Sequence, residues 1–298
     1  MQQVSVVIVN WNTGKLLKEC LEAISRTSDR SLIRHIVVVD NGSKDTSIQQ
    51  AQDILPCVFL LQKENLGFAK ANNVGITYIQ EHGGNEDHIL LLNPDTQVHD
   101  GAIQKMLSVL AQNPHAGIVG PMLLETTGEI QPSVRSFPSL VVFILLFLKL
   151  HRLFSSTAAW RQYIQSDFDY MKEKNVDQVM GAVFLIRNTL IKSLHGLDEQ
   201  FWIWFEEVDF CKQVKDAGYE VTYTPDAQVM HVKGTSFNQL VGLKKTKPLL
   251  DSSLVYARKH VGLGAYILLC ILYPVGILIA CVASLSHIKQ KADTRGKL

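Results

Sequence analysis

The chain has 298 residues, 29 Lys and Arg against 28 Asp and Glu, and a formal net charge of +1. That length buries a sizeable core, and so even a charge balance gives no electrostatic footprint for nucleic acid. A hydrophobic content of 47% with 19% charged residues excludes wholesale disorder, and five cysteines with no C-x-x-C exclude a zinc knuckle and a disulfide framework.

The first 120 residues alternate between strand and helix signals. A continuous β-branched run at 4–9 (VSVVIV) predicts a strand buried on both faces. Leu16, Leu17, Cys20, Leu21 and Ile24 then recur at helical spacing within 14–26. Further strands are predicted at 35–40, 57–61, 88–92 and 118–119, with helices at 45–54, 68–80 and 101–112. Such alternation predicts an open, mostly parallel α/β sheet.

Polar motifs follow the strands: Asn10-Trp11-Asn12, Asp40-Asn41-Gly42-Ser43, Glu64-Asn65-Leu66-Gly67 and Asn93-Pro94-Asp95-Thr96. Open α/β sheets bind ligands at that carboxyl edge. Neither G-x-G-x-x-G nor G-x-x-x-x-G-K-[ST] occurs after the first strand, which weakens dinucleotide and P-loop readings.

In the second half, 140–148 is an apolar run too short to cross a bilayer; it reads as a core helix or an interfacial segment. Glu206, Glu207 and Asp209 lie between the aromatic run 201–205 and a predicted helix at 209–217, closed by Gly218. A strand is predicted at 221–230, with His231 after it. Residues 261–286 are 26 in a row without a charge, long enough to span a bilayer. A buried core helix is the plain alternative, and Pro274 and Gly276 near the middle leave open a single crossing or a kinked, re-entrant or interfacial segment. Basic residues on both flanks make the positive-inside rule indecisive.

Charge is unevenly spread. Residues 233–260 carry six basic and one acidic residue, and 287–298 four basic and one acidic, leaving about seven net negative charges on residues 1–232. A neutral total hides an acidic body and a basic, membrane-adjacent tail.

The series VVIVNWN (6–12), VVDNGSKDTS (38–47), ENLGFAKANNVGI (64–76), LLNPDT (91–96), VMGAVFLIR (179–187) and FEEVDFCKQVKDAGY (205–219) resembles the family 2 glycosyltransferases, especially the rhamnosyltransferase-like group of bacterial polysaccharide synthesis. The resemblance covers about residues 3–240. It implies a GT-A catalytic domain over 1–240, with a nucleotide-sugar-binding half at 1–120 and an acceptor-binding half at 121–240. A basic juxtamembrane linker (241–260), a membrane anchor (261–286) and a basic tail (287–298) follow.

The resemblance also implies roles. The nucleotide-sugar site would take Val9, Asn10, Asp40, Asn65, Gly67, Asn72, Asn93 and Asp95, with Asp40 on the nucleobase. An Asx turn into Asn41-Gly42 is the alternative for Asp40. Asp95 and His231 would hold a divalent cation, Mg²⁺ or Mn²⁺, against the diphosphate leaving group. The family's D-x-D stands here as Asn93-Pro94-Asp95, so its first carboxylate is missing. Glu207 would be the general base toward an acceptor hydroxyl, with Glu206 second, and Asp209 would cap the helix or orient the acceptor. Gly181, Ala182, Trp202 and Trp204 would line the acceptor side.

The expected activity is a membrane-anchored, inverting hexosyltransferase on the cytoplasmic face of the inner membrane. Its partners would be a nucleotide-diphosphate sugar, with rhamnose suggested by subgroup, and a lipid-linked glycan. A nucleotidyltransferase and an inactive membrane-bound scaffold are the competing readings.

Overall fold

The computed structural model describes residues 3–82, 88–232 and 242–295, with side chains described as far as Ala283. Four parallel strands form one side of the main sheet: β1 (Val4–Asn10), β2 (Ile33–Asp40), β3 (Val58–Leu61) and β4 (His88–Leu92), in the order β3-β2-β1-β4. Helices α1 (Leu16–Arg26), α2 (Ser47–Ala51) and α3 (Phe68–His82) connect them. The predicted alternation is therefore present, although the helix expected at 45–54 shortens to five residues.

Beyond β4 the sheet becomes mixed. After β5 (Thr96–Val98) and α4 (Ala102–Gln112) comes β6 (Ala116–Leu124), much longer than the expected 118–119. Short strands β7 (Ile130–Gln131) and β8 (Val134–Arg135), helices α5 (Leu140–Phe147) and α6 (Ala158–Tyr163), and strands β9 (Lys174–Val176) and β10 (Gln178–Val179) lead to β11 (Val183–Ile186). β11 inserts antiparallel between β4 and β6, and β12 (Glu220–His231) runs parallel to β6, with α7 (Asn188–Ser193) and α8 (Glu206–Asp216) between β11 and β12.

β1 explains the layering. Its side chains alternate between faces, and every residue from Val4 to Asn10 is buried. Val4, Val6 and Ile8 join a cluster with Leu17, Leu21, Ile103 and Met106 of α1 and α4. Val7 and Val9 join Ala71, Ile76, Phe210 and Val214 of α3 and α8 on the other face. Gly75 lets α3 lie close to the sheet, since a Cβ there would sit 2.5 Å from Val7 Cγ1.

A third cluster lies off the sheet. α9 (Leu243–Tyr256), a π-helical turn (Ala257–Val261) and α10 (Leu263–Arg295) close the chain. Phe143 and Phe147 of α5, Leu250 and Tyr256 of α9 and Leu269 of α10 are buried together with Phe201, Phe205 and Val208. The 140–148 run is thus a helix with one face in this core. The stretch that reads as a linker is largely helical, and α10 runs on beyond the uncharged segment to Arg295.

Candidate active site

Strand ends and loops converge at the carboxyl edge. At the end of β1, the Asn10 amide lies within donor reach of Asp40 Oδ1 (2.9 Å), Ser47 Oγ (2.9 Å) and Ser43 Oγ (3.1 Å). The Ser43 amide donates to Asp40 Oδ2 at 3.3 Å. The Asx-type turn, the alternative for Asp40, is therefore present, and Asp40 is buried within it. Asn12 adopts a left-handed φ of 50°, and its Oδ1 accepts from the Lys44 amide at 2.7 Å, zipping the first two loops together.

Asn41 builds the next loop. Its Nδ2 donates to Asn65 Oδ1 (3.0 Å) and to the Gly67 carbonyl (3.1 Å), while its Oδ1 accepts from the Leu66 amide (2.8 Å). Gly67 has φ +86°, and a Cβ on it would stand 2.4 Å from the Trp202 carbonyl oxygen. The Phe68 amide donates to that carbonyl at 2.7 Å. Trp202 therefore abuts the donor-side loop, whereas Trp204 packs into the third core cluster. Asn72 is buried and donates to the Phe68 carbonyl one turn back at 2.9 Å.

Asp95 and His231 meet through sheet pairing. β5 pairs antiparallel with the end of β12, setting His231 opposite Thr96, and His231 Nε2 lies 3.4 Å from Asp95 Oδ1. On the far side of the ring, Nδ1 is 2.7 Å from Gln131 Oε1. Gln131 Nε2 points to Glu125 Oε1 at 3.4 Å, so its oxygen faces the imidazole. That makes Nδ1 the donor, so that in the neutral ring the Nε2 lone pair turns toward the Asp95 carboxylate. Two buried acceptors facing each other at that distance suit a shared cation. Among the described residues no third His, Cys, Asp or Glu joins them.

A short path leads from this pair to the acids. The Asn93 amide donates to the Ala182 carbonyl at 2.8 Å. The adjoining Gly181 packs on Glu207, where a Cβ would stand 3.3 Å from Glu207 Cβ. Glu206 is buried and Glu207 half-buried. One carboxylate oxygen of each (Oε2) is buried without a hydrogen-bond partner among the described residues. Burial raises the pKa of both; the charge of Glu207 pushes Glu206 further up, whereas backbone hydrogen bonds and Arg135 restrain Glu207.

α8 starts at Glu206, three residues earlier than the 209–217 reading. Trp204 (φ 71°) and Phe205 (φ 69°) are both left-handed, and that turn launches the helix. Bulky residues there cost about 1–3 kcal/mol each and persist only when packing holds them. Here Phe205 is held between Phe143 and Tyr256, with ring centroids at 5.5 and 5.6 Å, and Ser252 Oγ donates to the Ile203 carbonyl at 2.8 Å.

Asp209 stands apart from the other two acids. It is fully buried, and its carboxylate takes His260 Nε2 (2.6 Å), Lys259 Nζ (2.8 Å) and Gln213 Nε2 (2.7 Å). No side chain caps α8, so Asp209 ties the helix to the π-helical turn instead. Sequence reasoning missed Gln131, Arg135, Lys259 and His260. The first two lie at the edge of a stretch without motif or periodicity, and only strand pairing reveals their neighbours.

A family model described as "Glycosyltransferase like family 2" matches residues 2–245. N-acetylglucosaminyl-diphospho-decaprenol L-rhamnosyltransferase of Mycobacterium tuberculosis is 29% identical over 241 residues, covering 78% of this chain and 76% of that protein. Rhamnosyltransferase WbbL of Escherichia coli is 24% identical over 232 residues, covering 76% and 83%. Among solved structures, GalNAc-T7 with UDP, GalNAc and Mn²⁺ superposes with a TM-score of 0.59 at 15% identity, over 78% of this chain and 44% of that one. Mannosyltransferase PcManGT from Pyrobaculum calidifontis, in complex with GDP-Man and Mn²⁺, gives 0.56 at 16%, over 97% and 75%.

At such identities the structural likeness establishes the fold, which is GT-A. The chain belongs to the family 2 glycosyltransferases and is a hexosyltransferase by class.

Proposed function

We propose that this glycosyltransferase moves a sugar, rhamnose by the names of its relatives, from a nucleoside-diphosphate donor to a lipid-linked glycan, with inversion at the anomeric carbon. The observation that carries the reading is the run of contacts from Asp95–His231 through Asn93–Ala182 and Gly181 to Glu207. It links an acidic and imidazole pair suited to a cation with a carboxylate that has an unpartnered buried oxygen.

Asp95 Oδ1 and His231 Nε2 fit a divalent cation, since Gln131 turns the imidazole lone pair inward. Held there, a Mg²⁺ or Mn²⁺ ion supplies charge neutralisation for the departing diphosphate. The protein's own groups do the rest. Asp40, held by the Asn10 amide, stands at the nucleoside end, and Gly181 lets the backbone between β10 and β11 pack closely on Glu207. Glu207 accepts the acceptor hydroxyl's proton as the oxygen attacks the anomeric carbon and the bond to the diphosphate breaks. Raising its pKa brings this base nearer the working pH, which favours proton transfer. Arg135 on β8 opposes the upward push that burial gives Glu207.

In this reading the chain works at the cytoplasmic face of the cell membrane, bound there by α10, where a lipid-linked acceptor resides. Leu263–Ala283 is long and apolar enough to cross a bilayer. The test is turnover of nucleotide-sugars, dTDP-rhamnose among them, on a polyprenyl-diphosphate glycan, read as nucleoside diphosphate and glycolipid. EDTA abolishes turnover and Mn²⁺ or Mg²⁺ restores it. Undiminished turnover in EDTA overturns the cation site, and nucleotide binding without any turnover supports a scaffold instead.

A further inference from the structure

We propose that Leu263–Ala283 of α10 lies along the membrane in the plane of the bilayer, because its apolar outer stripe is backed on the opposite face by charged and non-helical protein. The inference rests on the membrane-bound reading above and goes beyond it by fixing how the helix meets the lipid.

α10 is packed on one side only. Leu269, Gly276 and Ala280 are buried, and Leu272, Tyr273 and Ile277 pack on the third core cluster. Leu263, Ile267, Ile271, Val275, Leu278 and Val282 are all exposed. Their spacing of three and four residues draws one aliphatic stripe down the outer face, about 28 Å long at 1.5 Å per residue.

The backing of the helix argues against a crossing. Tyr273 Oη donates to Asp251 Oδ1 at 2.6 Å, and Asp251 pairs with Lys247 at 2.6 Å. Both partners are solvent-facing, with side chains 43% and 56% exposed. The Phe147 carbonyl lies against Gly276, where α5 ends, and Lys149 and Arg152 follow. Were Leu263 at one membrane boundary and α10 upright, Tyr273 and Gly276 would lie about 15 and 20 Å deep. A hydrocarbon core of about 30 Å would then enclose an open ion pair, the irregular end of α5 and its basic residues. Lipid tolerates neither exposed charge nor exposed irregular backbone at that depth. Laid flat, the same helix turns its stripe to the acyl chains and leaves every one of those groups on the water side.

The stripe also fits lipid better than a second copy of the chain. Close helix pairing uses small residues, and Gly276 and Ala280 are already buried on the inner face. Apart from Gly264 near its start, Cys270 and Pro274, the exposed face carries branched aliphatic side chains. At the start of the helix Arg258 stacks over Tyr266 at 6.0 Å, a charged and aromatic pair suited to the headgroup level. The third core cluster also holds Phe201 and Phe205 beside Leu269, so a flat α10 sets the loop before Glu206 directly above the lipid.

The test uses the 298-residue chain with its five cysteines replaced and single spin labels at Ile267→Cys, Ile271→Cys, Val275→Cys, Leu278→Cys and Val282→Cys, bound to phosphatidylcholine–phosphatidylglycerol vesicles. Label depth is read by oxygen and nickel-chelate power saturation, with circular dichroism confirming each fold. We expect one shallow depth at all five sites, about 5–10 Å below the phosphates, and full nickel access at a Glu129→Cys control. A depth that peaks near Ile271–Val275 and falls toward both ends overturns the in-plane arrangement while leaving membrane binding intact. Concentration-dependent spin–spin broadening with neither reagent reaching the stripe overturns it in favour of a second copy. Failure of the unlabelled chain to float with vesicles overturns the membrane reading itself.

Discussion

In the proposed mechanism two adjacent glutamates stand at the chemistry, and their surroundings differ. Glu207 abuts Gly181 and feels Arg135, whereas Glu206 is more deeply buried and carries the larger upward pKa shift. Glu207→Gln is expected to lower kcat by about 10²–10⁴-fold with little change in donor binding. In the parent, the acid limb of the pH–rate profile should lie above the ordinary glutamate range; a limb at about 4.3 would remove Glu207 as the base. Glu206 makes a stability prediction. Its folded-state pKa is raised, so its contribution is full below the unfolded value and is lost as pH rises toward the folded one. Glu206→Gln should therefore melt close to the parent at low pH and increasingly above it as pH climbs from about 4.5 to neutrality. Thermal melts across that range, in which the gap stays constant, would show that burial of Glu206 is not the cause.

Strand pairing, more than any motif, brings Asp95 and His231, the proposed cation pair, together. β5 pairs with the end of β12, and β7 pairs with β6 to bring Gln131 to the other side of the imidazole. A ligand imidazole is commonly oriented by a partner on its second nitrogen, and losing that partner typically weakens metal binding 10–100-fold. Gln131→Leu should weaken Mn²⁺ affinity by that factor, measured by the free-ion electron paramagnetic resonance signal without any substrate. Unchanged affinity would mean that the bond only fills space. α8 shows a different element-level device: two strained aromatic residues aim its first turn, and rings from α5 and α9 hold them there.

Across the whole molecule, the C-terminal helices belong to the catalytic body. α9 and the π-helical turn reach the acids through Tyr256–Phe205, Ser252–Ile203 and the clasp of Lys259 and His260 on Asp209, and Leu269 of α10 is buried in the same cluster. A chain truncated after residue 241 should therefore expose Phe143, Phe147 and Phe205, aggregate on size exclusion and lose turnover. A soluble, monomeric and fully active truncation would show instead that these helices only tether the enzyme.

By itself the sequence determined the α/β order of the first half, the placement of Asn10, Asp40, Asn65 and Asp95 at strand ends, and an uncharged C-terminal helix. Each rests on signals local in the chain: buried β-branched runs, turn residues and hydrophobic periodicity. The antiparallel entry of β11, the meeting of Asp95 with His231, the support from Gln131 and Arg135, and the diversion of Asp209 to Lys259 and His260 were decided only by the tertiary structure. These depend on pairings between residues tens to more than a hundred positions apart, which no local pattern encodes. Whether a carboxylate faces a substrate or the lysine of a neighbouring turn is settled by what packs against it, and that is a property of the fold.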